Sequence, residues 1–229
     1  MNKEYYKAYN DRYKQVHDHS LQWASDNPSN IVSDTILKYH ISPTDNILEL
    51  GCGEGRDATF LLEKGYHVLA TDVSEEVIQY CHKKYSKYCN EFKVLDCLKD
   101  HLDGTFDYIY AVALLHMLVL DEDRDQFYKF IYDHLDNDGI ALICTMGNGK
   151  FEKKSDINEA FELDRRIHTE TQKELMIAQT SCRIVNFNTF VSEINSSCLS
   201  IIEKGMTHIE PDFPMTMFAV VKKDNESSL

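Results

Sequence analysis

Between residues 46 and 58 the chain reads Asn-Ile-Leu-Glu-Leu-Gly-Cys-Gly-Glu-Gly-Arg-Asp-Ala, an order of residue types that can hold a charged small ligand. Gly51, Gly53 and Gly55 stand at alternate positions, where the missing Cβ lets the backbone turn tightly and come close to a bound group. A short apolar run precedes them and a helical pattern follows, so backbone N–H groups and the positive end of a helix dipole face the same point. Glu49, just ahead of the glycines, points into that crevice and suits a cationic ligand better than a pyrophosphate. Asp72 ends the next apolar run, His67 to Thr71. That interval sets an acid at the tip of the adjacent strand, where it can accept hydrogen bonds from both hydroxyls of a ribose. Asp96 ends a third run, Glu91 to Leu95, in the same manner.

Two ligand classes use a strand, a glycine turn and a helix in this way. Dinucleotide sites carry G-x-G-x-x-G. Here the spacing is G-x-G-x-G, and Arg56 stands where the last dinucleotide glycine belongs. The E-x-G-x-G-x-G pattern resembles the first motif of class I S-adenosylmethionine-dependent methyltransferases. The resemblance covers about residues 43–142 and resumes over the last helix and two strands. Among these enzymes the chain looks most like small bacterial ones with G-x-G-R near the first motif, including the tellurite-resistance and thiopurine types.

The resemblance implies a cofactor, S-adenosyl-L-methionine, and a set of contacts for it. Glu49, Gly51, Cys52, Gly53 and Arg56 belong to the first motif. Asp72 would take the ribose, with Val73 offering an apolar face to the adenine. Asp96 would bind the adenine amino group, and the backbone N–H of Cys97 the ring. Phe106-Asp107-Tyr108-Ile109 and Leu115-His116-Met117-Leu118 resemble the fourth motif, which assigns the carbonyls near Ala111 and Val112 to the methionine amino group. His116 is a candidate general base, since an unperturbed imidazole titrates near neutrality; the alternative is a packed helix histidine.

These residues need a scaffold, and the periodicity supplies one. Strands are expected at Asn46 to Leu50, His67 to Thr71, Glu91 to Leu95, Gly104 to Tyr110 and Ile140 to Thr145, with helices between them. A helix over Phe187 to Ile194 is followed by strands Leu199 to Gly205 and Met215 to Val221, whose short connection through Pro211 and Pro214 makes the last strand antiparallel. The fold class expected from the resemblance is α/β: a Rossmann-like, seven-stranded, mostly parallel sheet with helices on both faces, the last strand antiparallel, and a small helical cap. One domain is expected, divided into a helical lid over 1–40, a core over 43–145 and 184–223, and a substrate cap inserted over 146–183. In the lid, Tyr6, Tyr9, Tyr13, Val16 and Ser20 recur at helical steps; they either pack on the core or close over the cofactor, with Tyr13 and Trp23 as contacts. The cap is expected to be helical over 157–177.

Composition narrows the partners. The 229 residues, 43% hydrophobic and 27% charged, suit a single soluble globular domain. A net charge of −14 repels polyanions, which argues against nucleic acid. No apolar run is long enough for a bilayer and the amino terminus has no signal-peptide pattern, so no membrane association is expected. Seven cysteines without a C-x-x-C pair point to reduced thiols and the cytoplasm. His17-x-His19 is the one close histidine pair and lacks further ligands at zinc spacing, so no metal is expected.

The function expected is transfer of a methyl group to a small-molecule acceptor by in-line displacement, by a monomer or homodimer. Two alternatives are an inactive S-adenosylmethionine-binding partner subunit and a nicotinamide-dependent oxidoreductase. Arg165, Arg166 and Arg183 concentrate positive charge in or beside the cap. They suggest an acceptor with an anionic group held by at least one of them, because arginine suits bidentate recognition of carboxylate or phosphate.

Overall fold

A computed structural model describes residues 4–168, 171–209 and 211–224. After a short 3-10 turn, Tyr5–Lys7, come α1 (Ala8–His17), α2 (Asn30–Tyr39), β1 (Asn46–Leu50), α3 (Arg56–Glu63), β2 (His67–Asp72), α4 (Glu75–Lys84) and β3 (Phe92–Val94). They are followed by β4 (Phe106–Val112), α5 (Asp121–His134) and β5 (Leu135–Met146). The remaining elements are β6 (Lys153–Lys154), β7 (Leu163–Ile167), β8 (Glu174–Ala178), β9 (Arg183–Ile184), α6 (Phe187–Asn195), β10 (Leu199–Ile209) and β11 (Phe213–Lys223).

Seven strands form one sheet in the order β10-β11-β5-β4-β1-β2-β3. The neighbours from β5 through β3 run parallel, and β11 lies antiparallel between β5 and β10. Successive side chains of a strand point to opposite faces, and this alternation divides the core in two. Leu48, Leu50, Ile109 and Ile143 meet Phe127 and Ile131 of α5 and Phe190 of α6 on one face. Ile47, Val68, Tyr110 and Leu142 meet Ile36 of α2, Leu61 of α3 and Ile78 of α4 on the other. Helices therefore cover both faces, as expected of a Rossmann-like sheet.

Strand order reverses between β1 and β4. In an open α/β sheet that reversal opens a crevice beyond the carboxyl ends of the strands. It sets the turn after β1, which begins at Gly51, beside the turn after β4, where Ala113 takes φ +56°.

The cap differs from the expected helix. Residues 157–159 make a 3-10 turn, and β7 and β8 pair as an antiparallel hairpin from Leu163↔Ala178 to Ile167↔Glu174. Its burial follows a period of two: Leu175 and Ile177 are buried against Val16 of α1, while Met176 between them is exposed. The lid helix gives these alternate residues a partner, so the strand pattern prevails over the charged helical one. Arg12 of α1 fastens the hairpin, donating from Nε and Nη2 to the Ala178 carbonyl at 3.0 and 2.7 Å and from Nη2 to Gln179.

Candidate functional site

The turn after β1 folds as its glycines require. Gly51 and Gly53 have φ of +72° and +52°, a region that L-residues with a Cβ avoid. A Cβ on Gly51 would fall 2.6 Å from Leu114, and one on Gly53 would fall 3.0 Å from the Tyr13 hydroxyl. Gly55 closes the turn as the N-cap of α3.

Two small cavities flank this turn and share Tyr13, Gly51 and Met117. The first lies over β2 and β3, lined by Tyr6, Asp72, Val73, Asp96 and Cys97 among others. The second lies over β1 and β4, where Trp23, Glu49, Cys52, Arg56, Val112 and Phe213 contribute. Most residues that the sequence offers for the cofactor are brought to one of the two. Ala111 is the exception: it is fully buried inside β4, and Ala113, two residues on, lines the cavity instead. Strand geometry explains the step, because Ala111 turns into the core on the face opposite Val112.

Three carboxylates stand at successive strand ends. Asp72 accepts from the backbone N–H of Gly53 at 3.0 Å and of Ser74 at 2.9 Å. Burial nevertheless raises its pKa to about 6 against these bonds. Asp96 accepts from the Tyr6 hydroxyl at 3.0 Å and the Leu98 N–H at 3.1 Å. Glu49 is 3% exposed, and its Oε2 has no hydrogen-bond partner among the described residues. Burial, then the nearby Asp57 charge, pushes the Glu49 pKa well up. A buried carboxylate oxygen left without a donor is costly, and a cationic group in the second cavity would relieve it.

The lid covers both cavities. Glu54, within the glycine turn, accepts from the Trp23 and Ala24 N–H groups, both at 2.8 Å. His17 sits between two acids, with Nε2 at 2.9 Å from Glu54 and Nδ1 at 3.1 Å from Glu76. Both ring nitrogens can serve these bonds only as N–H donors, which is the imidazolium form. Although burial opposes that charge, the two acids raise the His17 pKa above its ordinary value. Glu54 and His17 had no signal beyond their types, since their partners are 37 and 59 residues from His17 in the chain.

Residues 47–139 match the family model of a methyltransferase domain. Over this span and in its fold the chain resembles S-adenosylmethionine-dependent methyltransferases. The juvenile hormone acid O-methyltransferase of Bombyx mori is 27% identical over 111 residues, 45% of this chain and 39% of that protein. Phosphoethanolamine N-methyltransferase 1 of Zea mays is 31% identical over 113 residues, covering 47% of this chain and 22% of that protein. The match thus spans well under half the length of these two relatives. A malonyl-[acyl-carrier protein] O-methyltransferase of Bacillus cytotoxicus aligns more fully, at 27% identity over 86% of this chain and 69% of its own. Among solved structures, a 1,6-didemethyltoxoflavin-N1-methyltransferase of Burkholderia thailandensis superposes with TM-score 0.69 at 16% identity, covering 97% of this chain and 90% of that one. It shares the fold.

The structure does not bring His116 or the three arginines to these two cavities. His116 is 3% exposed, packs near Phe213 and lines neither cavity. Burial first, then the Arg124 and Arg12 charges, lower its pKa to about 3, which makes it a poor proton acceptor. It is the packed alternative. Arg165 and Arg166 lie on β7, not on a helix, with side chains 66% and 53% exposed and paired with Glu174 and Asp164. Arg183 bonds Asp121 at 2.5 Å and the Val119 carbonyl at 3.0 Å. None of the three lines the two cavities. The first two lie on opposite faces of an exposed strand, each paired with an acid, and Asp121 holds the third. The residues that tertiary structure adds are Glu54, Ala113, Met117 and Phe213.

Proposed function

We propose that this chain binds S-adenosyl-L-methionine across the two cavities and transfers its methyl group to a small-molecule acceptor. One observation carries this function: carboxylates stand at the ends of β1, β2 and β3, and the one beside the glycine turn, Glu49, has a buried oxygen without a hydrogen-bond partner among the described residues, the Tyr110 hydroxyl being its neighbour. S-adenosylmethionine supplies an activated methyl on a sulfonium centre for in-line transfer.

The chain's own groups fit the rest of that ligand. Asp72 presents a carboxylate to a ribose diol, with the Tyr13 ring close to the Gly53 backbone. Asp96 and the apolar Val73 and Leu98 form the far end of the first cavity. Glu49 is placed to accept from an ammonium. Arg56 is the one cation among the residues lining the second cavity and suits a carboxylate. Sulfonium is already a good leaving group, so the protein's task is alignment and exclusion of water. The lid, fastened to Glu54 and to the hairpin, covers that space. Relatives named for both O- and N-methylation leave the acceptor atom open within this reading.

Calorimetric titration tests the cofactor directly. Saturable binding of S-adenosylmethionine and S-adenosylhomocysteine is expected, with none for NAD. Binding of NAD and not of S-adenosylhomocysteine would overturn the assignment.

A further inference from the structure

A third cavity, about 220 Å³, adjoins the methionine side of the cofactor site and shares Trp23, Ala24, Ser25 and Phe213 with it. Its other walls are Gln22 of the lid, Ile167 and His168 at the end of the hairpin, and Pro211 and Asp212 of the β10–β11 turn. It lies against the residues that would surround the transferable methyl, so an acceptor in it would be adjacent to that group.

Its chemistry is selective. Asp212 is the only carboxylate among the described lining residues, and no lysine or arginine is among them. The Asp212 carboxylate is held by Arg56 at 2.5 Å and by the Ser25 hydroxyl and N–H at 3.1 and 3.3 Å. All three donors meet Oδ2, which leaves Oδ1 for a donor on a ligand. His168 is also engaged at both nitrogens: Nε2 lies 2.7 Å from the Gln22 carbonyl, and Nδ1 lies 3.0 Å from the Thr171 hydroxyl. The cavity therefore offers no free base for a hydroxyl acceptor and no cation for an anionic one. It does offer a carboxylate and two aromatic rings, which favour positive charge: Trp23, which already holds the Arg12 guanidinium 4.8 Å from its ring centroid, and Phe213.

We propose that this cavity is the acceptor site and that its substrate is a small amine, methylated on nitrogen. The proposal rests on the methyltransferase function above. The amine arrives as an ammonium and gives its proton to water; the free amine nitrogen then attacks with its own lone pair and needs no protein base. The new N–C bond forms as the C–S bond breaks, sulfur keeps the bonding pair, and the positive charge passes from sulfur to nitrogen. The product ammonium then lies beside Asp212 and sheds a proton to water. The Arg56–Asp212 pair links the two sites, since Arg56 lines the cofactor side and Asp212 the acceptor side.

Trp23 is the single tryptophan of the chain, so its fluorescence reports on this cavity without any turnover. The protein, saturated with S-adenosylhomocysteine, is titrated with benzyldimethylamine, benzyl alcohol and benzoate at neutral pH. The amine, cationic there, is expected to saturate the Trp23 signal at a concentration at least about tenfold below that for benzoate. Asp212→Asn is expected to erase most of that advantage. Ile167 is 60% exposed, so Ile167→Lys tests the same electrostatics without disturbing the fold and should reverse the preference toward benzoate. Equal or tighter binding of benzoate by the unaltered protein, absence of a saturable amine signal, or an unchanged preference in Ile167→Lys would overturn the proposal. Calorimetry of S-adenosylhomocysteine on the same samples reads the cofactor site separately, so its failure is distinct from failure of the amine site.

Discussion

At the scale of single residues, the site depends on polar atoms whose alternatives to a ligand are poor. Asp72 is held in place by two backbone N–H groups but is buried enough for its pKa to reach about 6. Asp72→Ala is expected to weaken S-adenosylhomocysteine binding by about 1.5–3 kcal/mol, the range for a hydrogen bond to a charged group. The same affinity in the unaltered protein should fall as pH drops through about 6, because the acceptor carboxylate is then protonated. Calorimetry across that range checks both, and a folded Asp72→Ala protein with full affinity would remove Asp72 from the ribose. Gly53→Val combines a disfavoured φ with a side chain directed at the Tyr13 hydroxyl. Loss of cofactor binding with far-ultraviolet circular dichroism preserved is the expected result.

At the scale of elements, α1 and the β7–β8 hairpin form one cover. Val16, Leu175 and Ile177 share a small core, and Arg12 clamps the Ala178 carbonyl. The cover is held to the glycine turn by the His17–Glu54 contact and to α4 by the His17–Glu76 contact. Because the folded-state pKa of His17 is raised, its contribution is complete below the ordinary value of 6.5 and is lost as pH rises through the folded value. Hydrogen exchange of residues 8–25, corrected for intrinsic rates, should therefore show weaker protection at about pH 9 than at about pH 6. His17→Gln should remove the pH dependence. A pH-independent lid in the unaltered protein would show that His17 does not hold it. The two cofactor-side cavities are about 50 and 70 Å³, below the roughly 300–1,000 Å³ of ligand pockets, so this cover has to move for a cofactor to enter.

At the scale of the whole molecule, the parallel sheet fixes the crevice and buried ion pairs fix the loops around it. Arg124 of α5 is 1% exposed; it donates to Glu193 of α6 at 2.9 and 2.6 Å and to the Leu115 and Leu118 carbonyls of the turn after β4. That turn carries Leu114 and Met117, which line the first cavity. Removing Arg124 takes two donors from Glu193, which keeps the Tyr128 hydroxyl at 3.1 Å, and one from each carbonyl, of which Leu115 keeps the Leu118 N–H at 3.2 Å; Arg124→Ala is expected to cost about 3 kcal/mol of unfolding free energy, the low end for a broken buried pair. Chemical denaturation measures this, and replacing Arg124 and Glu193 together by methionine should recover part of the loss. A net charge of −14 also gives the molecule a field that favours a cationic ligand over an anionic one.

Much of the fold and of the cofactor end was legible without coordinates because the determinants are local. Asn46–Leu50 is a short apolar run of the kind buried on both faces, the glycines occupy conformations that only they adopt easily, and the acids stand at or just past their strand ends. The parallel sheet, its antiparallel last strand and the grouping of Glu49, Asp72 and Asp96 follow from such short-range rules. The proposed acceptor end is assembled from the lid, the hairpin and the β10–β11 turn, which meet across 146 and 187 residues of chain. No local pattern encodes those meetings. The cap showed this most clearly: its charged arginines read as a helix and an anion site, while Leu175 and Ile177 took strand geometry because Val16 was there to bury them. Charge in a sequence marks a residue type; whether it faces a ligand or a neighbouring acid, as Arg165 faces Glu174, is decided only when the chain is packed.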